Sequence, residues 1–227
     1  MSRLQWKNSK DRKKCCSLKI ILVGNGGHSK VIQDIIASIR NSKVVAILDD
    51  KYEMQFEEGG ILYGPLSLIN SILVEKDFRV MVAIGDNAIR KKVIKSLNLQ
   101  MKQYAIIIHP TAVISPTATI GYGTVVMPKA VINAETSIGS HCIVNTSSIV
   151  EHENKIADYV HISPNATSTG NVTIGEGGHL GASSVIIPGI TVGNWSVIGA
   201  GSTVINNVPA YSKAVGSPSR IIDKIKL

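Results

Sequence analysis

The chain has 227 residues, a formal net charge of +8 and only 4% aromatic residues. That length allows one large domain or two modest ones. The charge invites an anionic ligand, but no nucleic-acid-binding motif accompanies it and aromatics for base stacking are few, so nucleic acid is not the expected partner.

Residues 1–17 are expected to form a disordered basic tail, in which Arg3, Lys7, Lys10, Arg12, Lys13 and Lys14 stand against Asp11. No apolar h-region and cleavage site follow, so the tail is not a signal peptide. No apolar run reaches membrane-spanning length either, so a cytoplasmic protein without membrane insertion is expected. The three cysteines, Cys15, Cys16 and Cys142, form neither a disulfide framework nor a metal spacing. Cys142 falls on a small interior position of the repeat described below.

Residues 18–108 read as a Rossmann-like α/β domain. Leu18–Val23 (LKIILV) is a continuous apolar run, as in a strand buried on both faces. Gly24-Asn25-Gly26-Gly27-His28 follows, and residues 29–39 then carry a helical stripe of Val31, Ile32, Ile35, Ile36 and Ile39. A second strand at 44–48 ends on Asp49-Asp50. Pro65 opens a short helix through Leu73, and a strand at 79–84 closes on Gly85-Asp86-Asn87. A helix with a basic face at 88–97 and a last strand at 103–108 complete the alternation that implies a small parallel sheet.

The glycine turn carries chemistry. Gly24, Gly26 and Gly27 bend the backbone and bare its amides, and the following helix N-terminus adds partial positive charge, which together suit a phosphate. Asp49, at the end of the second strand, stands where a carboxylate accepts from ribose hydroxyls. Ser29 replaces the third glycine of G-x-G-x-x-G, so the dinucleotide fingerprint is incomplete and a nucleotide-linked substrate is favoured over hydride transfer. His28 either bonds that ligand or caps the turn.

From Ala112 to about Asn207 the chain keeps a six-residue register. The positions Ile114, Ile120, Val126, Ile132, Ile138, Val144, Val150, Ile156, Ile162, Ser168, Ile174, Leu180, Ile186, Val192, Ile198 and Val204 are aliphatic in fifteen of sixteen cases, Ser168 being the exception. Hexapeptide periodicity signals a parallel β-helix, three hexapeptides closing a triangular coil of eighteen residues. The residue after the aliphatic one is often small (Gly121, Gly139, Gly175, Gly181), as expected of a tight corner. The residue four past it is mostly small as well (Ala118, Cys142, Ser148, Ser184), as fits a narrow interior. A β-sandwich, with loops of varying length, would not hold this register. Residues 109–227 are therefore expected to form the β-helix domain and a short C-terminal segment.

Set together, GNGGHSKV, LDD and AIGDN, then the repeat with SSIVEHE and GHLGASSVIIPGITVG, make the chain similar to the sugar acetyltransferases of the bacillosamine and sialic-acid type, from Leu18 to the C-terminus. The repeat alone would give only the hexapeptide acyltransferase superfamily. The resemblance implies a left-handed coil, a homotrimer, acetyl-CoA between neighbouring β-helices, and a nucleotide-linked amino-sugar held from the N-terminal domain. It implies a general base at His152, oriented by Glu153. It further implies acetyl-CoA contacts at His161, Gly170, Ala182 and Ala200, phosphate contacts at Lys213 and Arg220, and substrate contacts at Gly26, Gly27, His28, Asp49, Asp50 and Gly85. Ser219 stands where the family usually has alanine.

The chemistry of His152 holds independently. Acetyl transfer needs a proton taken from the attacking amine or hydroxyl, an imidazole titrates close to neutrality, and a neighbouring carboxylate steadies the imidazolium. Spacing adds one inference. His161 and His179 differ by one coil and should stack on one face, whereas His152 lies half a coil from His161 and should point to the other side. A site using both is assembled from two chains.

Three rival readings use the same residues. An O-acetyltransferase on a sugar or polysaccharide precursor needs the same base. A γ-type carbonic anhydrase would hold zinc through histidines such as His161 and His179, but that family has no Rossmann domain and no third ligand is evident, so no metal is expected. A scaffold with a dead site would lack affinity for CoA.

Overall fold

The computed structural model describes residues 18–73 and 78–225, so the basic tail lies outside the described residues. The N-terminal unit is a five-stranded sheet of order β3-β4-β2-β1-β5. Its strands are β1 (Leu18–Val23), β2 (Ser42–Leu48), β3 (Phe56–Glu58), β4 (Ile61–Gly64) and β5 (Phe78–Val82). Three pairings are parallel, and β3 adds antiparallel to β4. Gly59 and Gly60, with φ of 60° and 76°, turn this hairpin, as two successive positive-φ residues do in a primed turn.

Helix α1 (Gly27–Ser38) buries Ile32, Ile35 and Ile36 between the sheet residues Ile20, Leu22 and Met81 and the β-helix residues Ile107, Val125 and Ile143. One apolar stripe thus closes two domains on each other, while Val31, expected on that stripe, is 42% exposed. Helix α2 (Ile69–Ile72) follows a 3-10 turn at Leu66–Leu68, as Pro65 foretold. Helix α3 (Asn87–Leu97) is capped by Asp86, whose Oδ1 accepts from the Ile89 amide at 2.8 Å, and stops at Asn98 in the left-handed region.

The expected last strand at 103–108 is not a strand of this sheet. Met101–Gln103 is a 3-10 turn, Tyr104 makes a single bridge to Val80, and Ile107–Ile108 pairs with Val125–Val126 as the first rung of the β-helix. Ile108 lies six residues before Ile114 and is already in phase with the repeat.

The β-helix is left-handed and has three faces built from two-residue strands. The first face stacks six strands from Val113–Ile114 to Thr203–Val204, and the second stacks five from Thr119–Ile120 to Thr191–Val192. The third runs from Ile107–Ile108 through Val197–Ile198 to the closing hairpin Ser212–Val215 and Arg220–Lys224. Ile138, Ile156 and Ile174 pair in one column, and the aliphatic positions from Ile120 to Val204 are buried with Ser168 among them.

The corners are built differently from the sequence reading. The left-handed residues come three places after the aliphatic one, at Lys129, Glu135, His141, Ser147, Glu153, Tyr159 and Asn165 among others. The small residue directly after the aliphatic position serves close stacking instead. A Cβ on Gly139 would come 2.6 Å from the Ala157 carbonyl carbon, and one on Gly181 would come 2.6 Å from the Ala200 amide.

Candidate functional site

The glycine turn after β1 borders a cavity of about 420 Å³, whose walls include Gly26, Gly27, His28, Asp49, Asp50 and Gly85. All six predicted substrate residues are thus brought together. Gly24 is needed by the fold, with φ of +100° and Ile84 against it. A Cβ on Gly26, Gly27 or Gly85 would meet nothing within 4 Å. Those three glycines leave bare backbone open to the cavity. Helix α1 begins there with no side-chain cap and no acidic residue in its first turn, an arrangement suited to a phosphate.

The carboxylates act first as loop fasteners. Asp49 accepts the Asn25 amide at 2.7 Å and the Lys51 amide at 3.1 Å, and Asp50 accepts the Leu66 amide at 3.3 Å. The Asn25 side chain donates to the Tyr52 hydroxyl at 2.5 Å, joining the turn to an aromatic group of Tyr52, Phe56 and Tyr63. Sequence reasoning missed this group because the β3–β4 hairpin was missed, although Gly59-Gly60 was the available signal.

The cavity adjoins the third face. His161 and His179 stack there, ring centroids 4.7 Å apart at 9°, as the eighteen-residue spacing required. His161 Nε2 bonds the Asn145 side chain at 3.1 Å, and His179 Nε2 bonds Ser163 Oγ at 2.9 Å. Burial, helped by His179, Arg90 and the cavity residue His28, pushes His161 down to about 3. Burial and Arg90 push His28 down to about 4. A desolvated imidazole prefers its neutral form. Among the described residues, the buried Nε2 of His28 and Nδ1 of His161 have no hydrogen-bond partner.

Arg90 was expected on a basic helix face and is instead 1% exposed. Its guanidinium donates to the carbonyls of Ile84 and Gly85 beside the cavity, to the carbonyls of His141 and Tyr159 on the β-helix, and to Asn87 Oδ1. Asn87 in turn donates to the Gly177 carbonyl at 3.0 Å, and Lys91 pairs with Glu176. An arginine among Lys91, Lys92 and Lys95 gave no sequence signal of this clamp.

His152 and Glu153 occupy the corner between the first and second faces. His152 Nδ1 and Glu153 Oε2 are 3.0 Å apart and both side chains are more than half exposed. Glu153 sits at φ 59°. With Nδ1 donating to the carboxylate, Nε2 is the unprotonated nitrogen that keeps a lone pair, as a general base needs. Gly170 lies one coil further on, directly beneath. A Cβ there would come 2.6 Å from His152 Nε2.

The predicted acetyl-CoA residues divide into two groups. Gly170 belongs with His152. Ala182 and Ala200 are exposed, one coil apart, at the corner between the third and first faces, next to His161 in sequence phase. Lys213 and Arg220 are exposed on the closing hairpin. Within one chain the whole first face separates the His152 corner from the Ala182 corner. Among the described residues no group of three or more His, Cys, Asp or Glu side chains is placed to hold a metal ion.

Comparison with known proteins bears on these features. Residues 19–97 match the PglD N-terminal domain family. A stretch of 107 residues is 42% identical to the UDP-N-acetylbacillosamine N-acetyltransferase of Bacillus subtilis (strain 168), covering 46% of this chain and 49% of that protein. The chain thus spans about half the length of this curated relative. Among solved structures, the acetyltransferase domain of PglB from Neisseria gonorrhoeae FA1090 in complex with acetyl coenzyme A is 33% identical, with a TM-score of 0.82 over 91% of this chain and 100% of the other. PerB from Caulobacter crescentus in complex with CoA and GDP-perosamine is 32% identical, with a TM-score of 0.81 over 90% and 97% of the two chains.

Proposed function

The chain belongs to the hexapeptide-repeat sugar acetyltransferases of the bacillosamine and sialic-acid type, and on that premise we propose that it transfers the acetyl group of acetyl-CoA to the amino group of a nucleotide-linked amino-sugar. The observation that carries the reading is the His152–Glu153 pair, in which Nδ1 meets the carboxylate at 3.0 Å and Nε2 is left to take a proton. The sugar nitrogen attacks the thioester carbonyl, a C–N bond forms, and the C–S bond breaks. The proton of the amine passes to His152 Nε2 and on to the departing sulfur, which leaves as the CoA thiol. Glu153 holds the ring and steadies the imidazolium. The relatives' bound nucleotide sugar and CoA, and the name of the Bacillus protein, favour nitrogen over oxygen as the acceptor.

The nucleotide sugar is assigned to the cavity at the glycine turn. The open backbone at Gly26, Gly27 and Gly85 supports this, with the α1 N-terminus for a phosphate and His28 and Asp49 for polar contacts. Acetyl-CoA is assigned to the groove bounded by His161, Ala182, Ala200 and Gly170, with Lys213 and Arg220 toward its phosphates. A cytoplasmic site of action accords with both substrates.

A homotrimer reconciles the two groups of residues. The outward residues of the first face are Val113, Val131, Ile149, Thr167, Val185 and Thr203, a β-branched ladder in which Val113 is 63% and Val185 37% exposed. The second face presents Thr119, Ser137, Lys155, Thr173 and Thr191 instead. Exposed apolar surface of this kind marks an interaction site. Three prisms packed around an axis by their first faces bring the His152 corner of one chain to the Ala182 corner of the next.

The test is an assay of free-thiol release with acetyl-CoA and a panel of UDP- and GDP-linked amino-sugars, GDP-perosamine and UDP-N-acetylbacillosamine among them. Release that depends on a sugar amine supports the reading. Release only with sugars that lack the amine would make the enzyme an O-acetyltransferase.

A further inference from the structure

Two residues break the repeat, and they break it in different phases. Ser168 is the one polar residue at the sixteen aliphatic positions. Asn154 stands four places after Val150, in the phase otherwise filled by small or aliphatic residues such as Thr136 and Val172. Both are 0% exposed, and they meet: Ser168 Oγ donates to Asn154 Oδ1 at 2.5 Å. The Asn154 amide nitrogen points the other way, to the carbonyls of Glu151 at 2.8 Å, His152 at 3.2 Å and Thr169 at 2.7 Å. A buried amide is tolerated only when its donors and acceptor are satisfied, and here Ser168 supplies the one bond that the corner carbonyls cannot.

The carbonyls it joins are those of the His152 corner and of the corner one coil further on. Glu151 and His152 begin the first. Thr169 precedes Gly170, the residue on which the imidazole rests. The Asn171 amide donates to the His152 carbonyl at 2.9 Å from the same second corner. Asn154 therefore spans, from inside the prism, the two backbone segments whose separation sets how the His152 ring lies over Gly170. A hydrophobic residue in this phase would fill the space but leave the amide's three carbonyl contacts unmade.

We infer that Asn154, held by Ser168, is a positioning residue for His152. It fixes the backbone under the imidazole so that Nε2 meets the substrate amine at the attack angle, without itself touching substrate. This rests on the reading of His152 as the base.

The test compares full-length Asn154→Ala, Ser168→Ala and the apolar double variant Asn154→Ala/Ser168→Val, with acetyl-CoA and GDP-perosamine or UDP-N-acetylbacillosamine, whichever the wild type acetylates. Asn154→Ala should lower kcat about 10-fold, the scale of a small misplacement of a catalytic group, with KM for both substrates within about twofold of wild type. The double variant removes the stranded Ser168 hydroxyl, so its thermal midpoint should recover in part while its kcat stays low. Ser168→Ala, the mildest change, should fall between wild type and Asn154→Ala in kcat. In a His152→Ala background, Asn154→Ala should have no further effect. A double variant with wild-type kcat, or an undiminished 10-fold loss without His152, would overturn the inference while leaving the base in place. A fully active His152→Ala enzyme would instead overturn the reading on which it rests.

Discussion

Arg90 Nε donates to the carbonyl of His141 at 3.0 Å, across the seam between the Rossmann-like domain and the β-helix. The same guanidinium holds the Ile84 and Gly85 carbonyls beside the cavity at the glycine turn. Replacing it strands several buried acceptors at once, each costing roughly 1–3 kcal/mol and not additively. Arg90→Ala should therefore destabilise the protein by about 3 kcal/mol, read as a shift in the urea midpoint. Arg90→Lys should recover little, because a single ammonium cannot replace the planar fork. A lysine variant of wild-type stability would show that charge alone suffices at the seam.

His141 lies between the rings of Tyr104 and Tyr159, 1% exposed. Burial first, and Arg90 second, push it down to about 4. A histidine lowered in the folded state binds its proton more readily unfolded, so stability is lost as pH falls below the unfolded value of about 6.5, down to about 4. This one group should cost roughly 2 kcal/mol between pH 7 and pH 5. His28, His161 and His179, lowered in the same direction, add to the slope. Thermal midpoints across this range should fall with acid for the wild type and fall less steeply for His141→Phe. Equal slopes would remove His141 from the account.

Gly170 sits where any side chain would displace the His152 ring. Gly170→Ala should leave the fold intact, since the ring it meets is exposed and free to swing away. The displaced base should cost between about 10- and 100-fold in kcat. An alanine enzyme with unchanged kcat and a raised KM for acetyl-CoA would assign Gly170 to CoA alone.

The β-branched ladder of the first face is the surface through which the proposed trimer would pack. Val131→Asp combined with Val185→Asp places two carboxylates in that face without touching the interior column. Sedimentation should report monomer, and activity should fall by orders of magnitude, because the His152 corner loses the Ala182 corner of its neighbour. An active monomer would rule out a site shared between chains.

Much of this was legible in the sequence because the six-residue register is enforced by geometry. One aliphatic residue must enter the prism per side, so Ile138, Ile156 and Ile174 announce their column. The stacking of His161 on His179 followed from the same arithmetic. The glycine turn was legible because bare amides before a helix have few other uses. What escaped were residues whose partners are distant in sequence. Arg90 looks like any exposed helix cation until residues 141 and 159 are folded against it. Asn154 reads as a corner residue until Ser168 is seen beside it. Ile107–Ile108 was assigned to the wrong domain because an apolar dipeptide fits a Rossmann strand as well as a rung. The corner glycines were ascribed to turn dihedrals, whereas coil-to-coil contact requires them, and the left-handed positions fall on residues such as Glu153 that carry no glycine signature.

The central claim is that His152 takes the proton, with Glu153 holding its ring. Removing a positioned general base lowers a rate by roughly 10²–10⁴-fold. The most direct measurement is kcat for His152→Ala on the nucleotide amino-sugar that the wild type acetylates, alongside acetyl-CoA binding by titration calorimetry. The account predicts a loss within that range with acetyl-CoA affinity intact, and a smaller loss for Glu153→Ala, which keeps the base but frees its ring. A His152→Ala enzyme within about threefold of wild type would contradict it, and would turn attention to the stacked imidazole of His161.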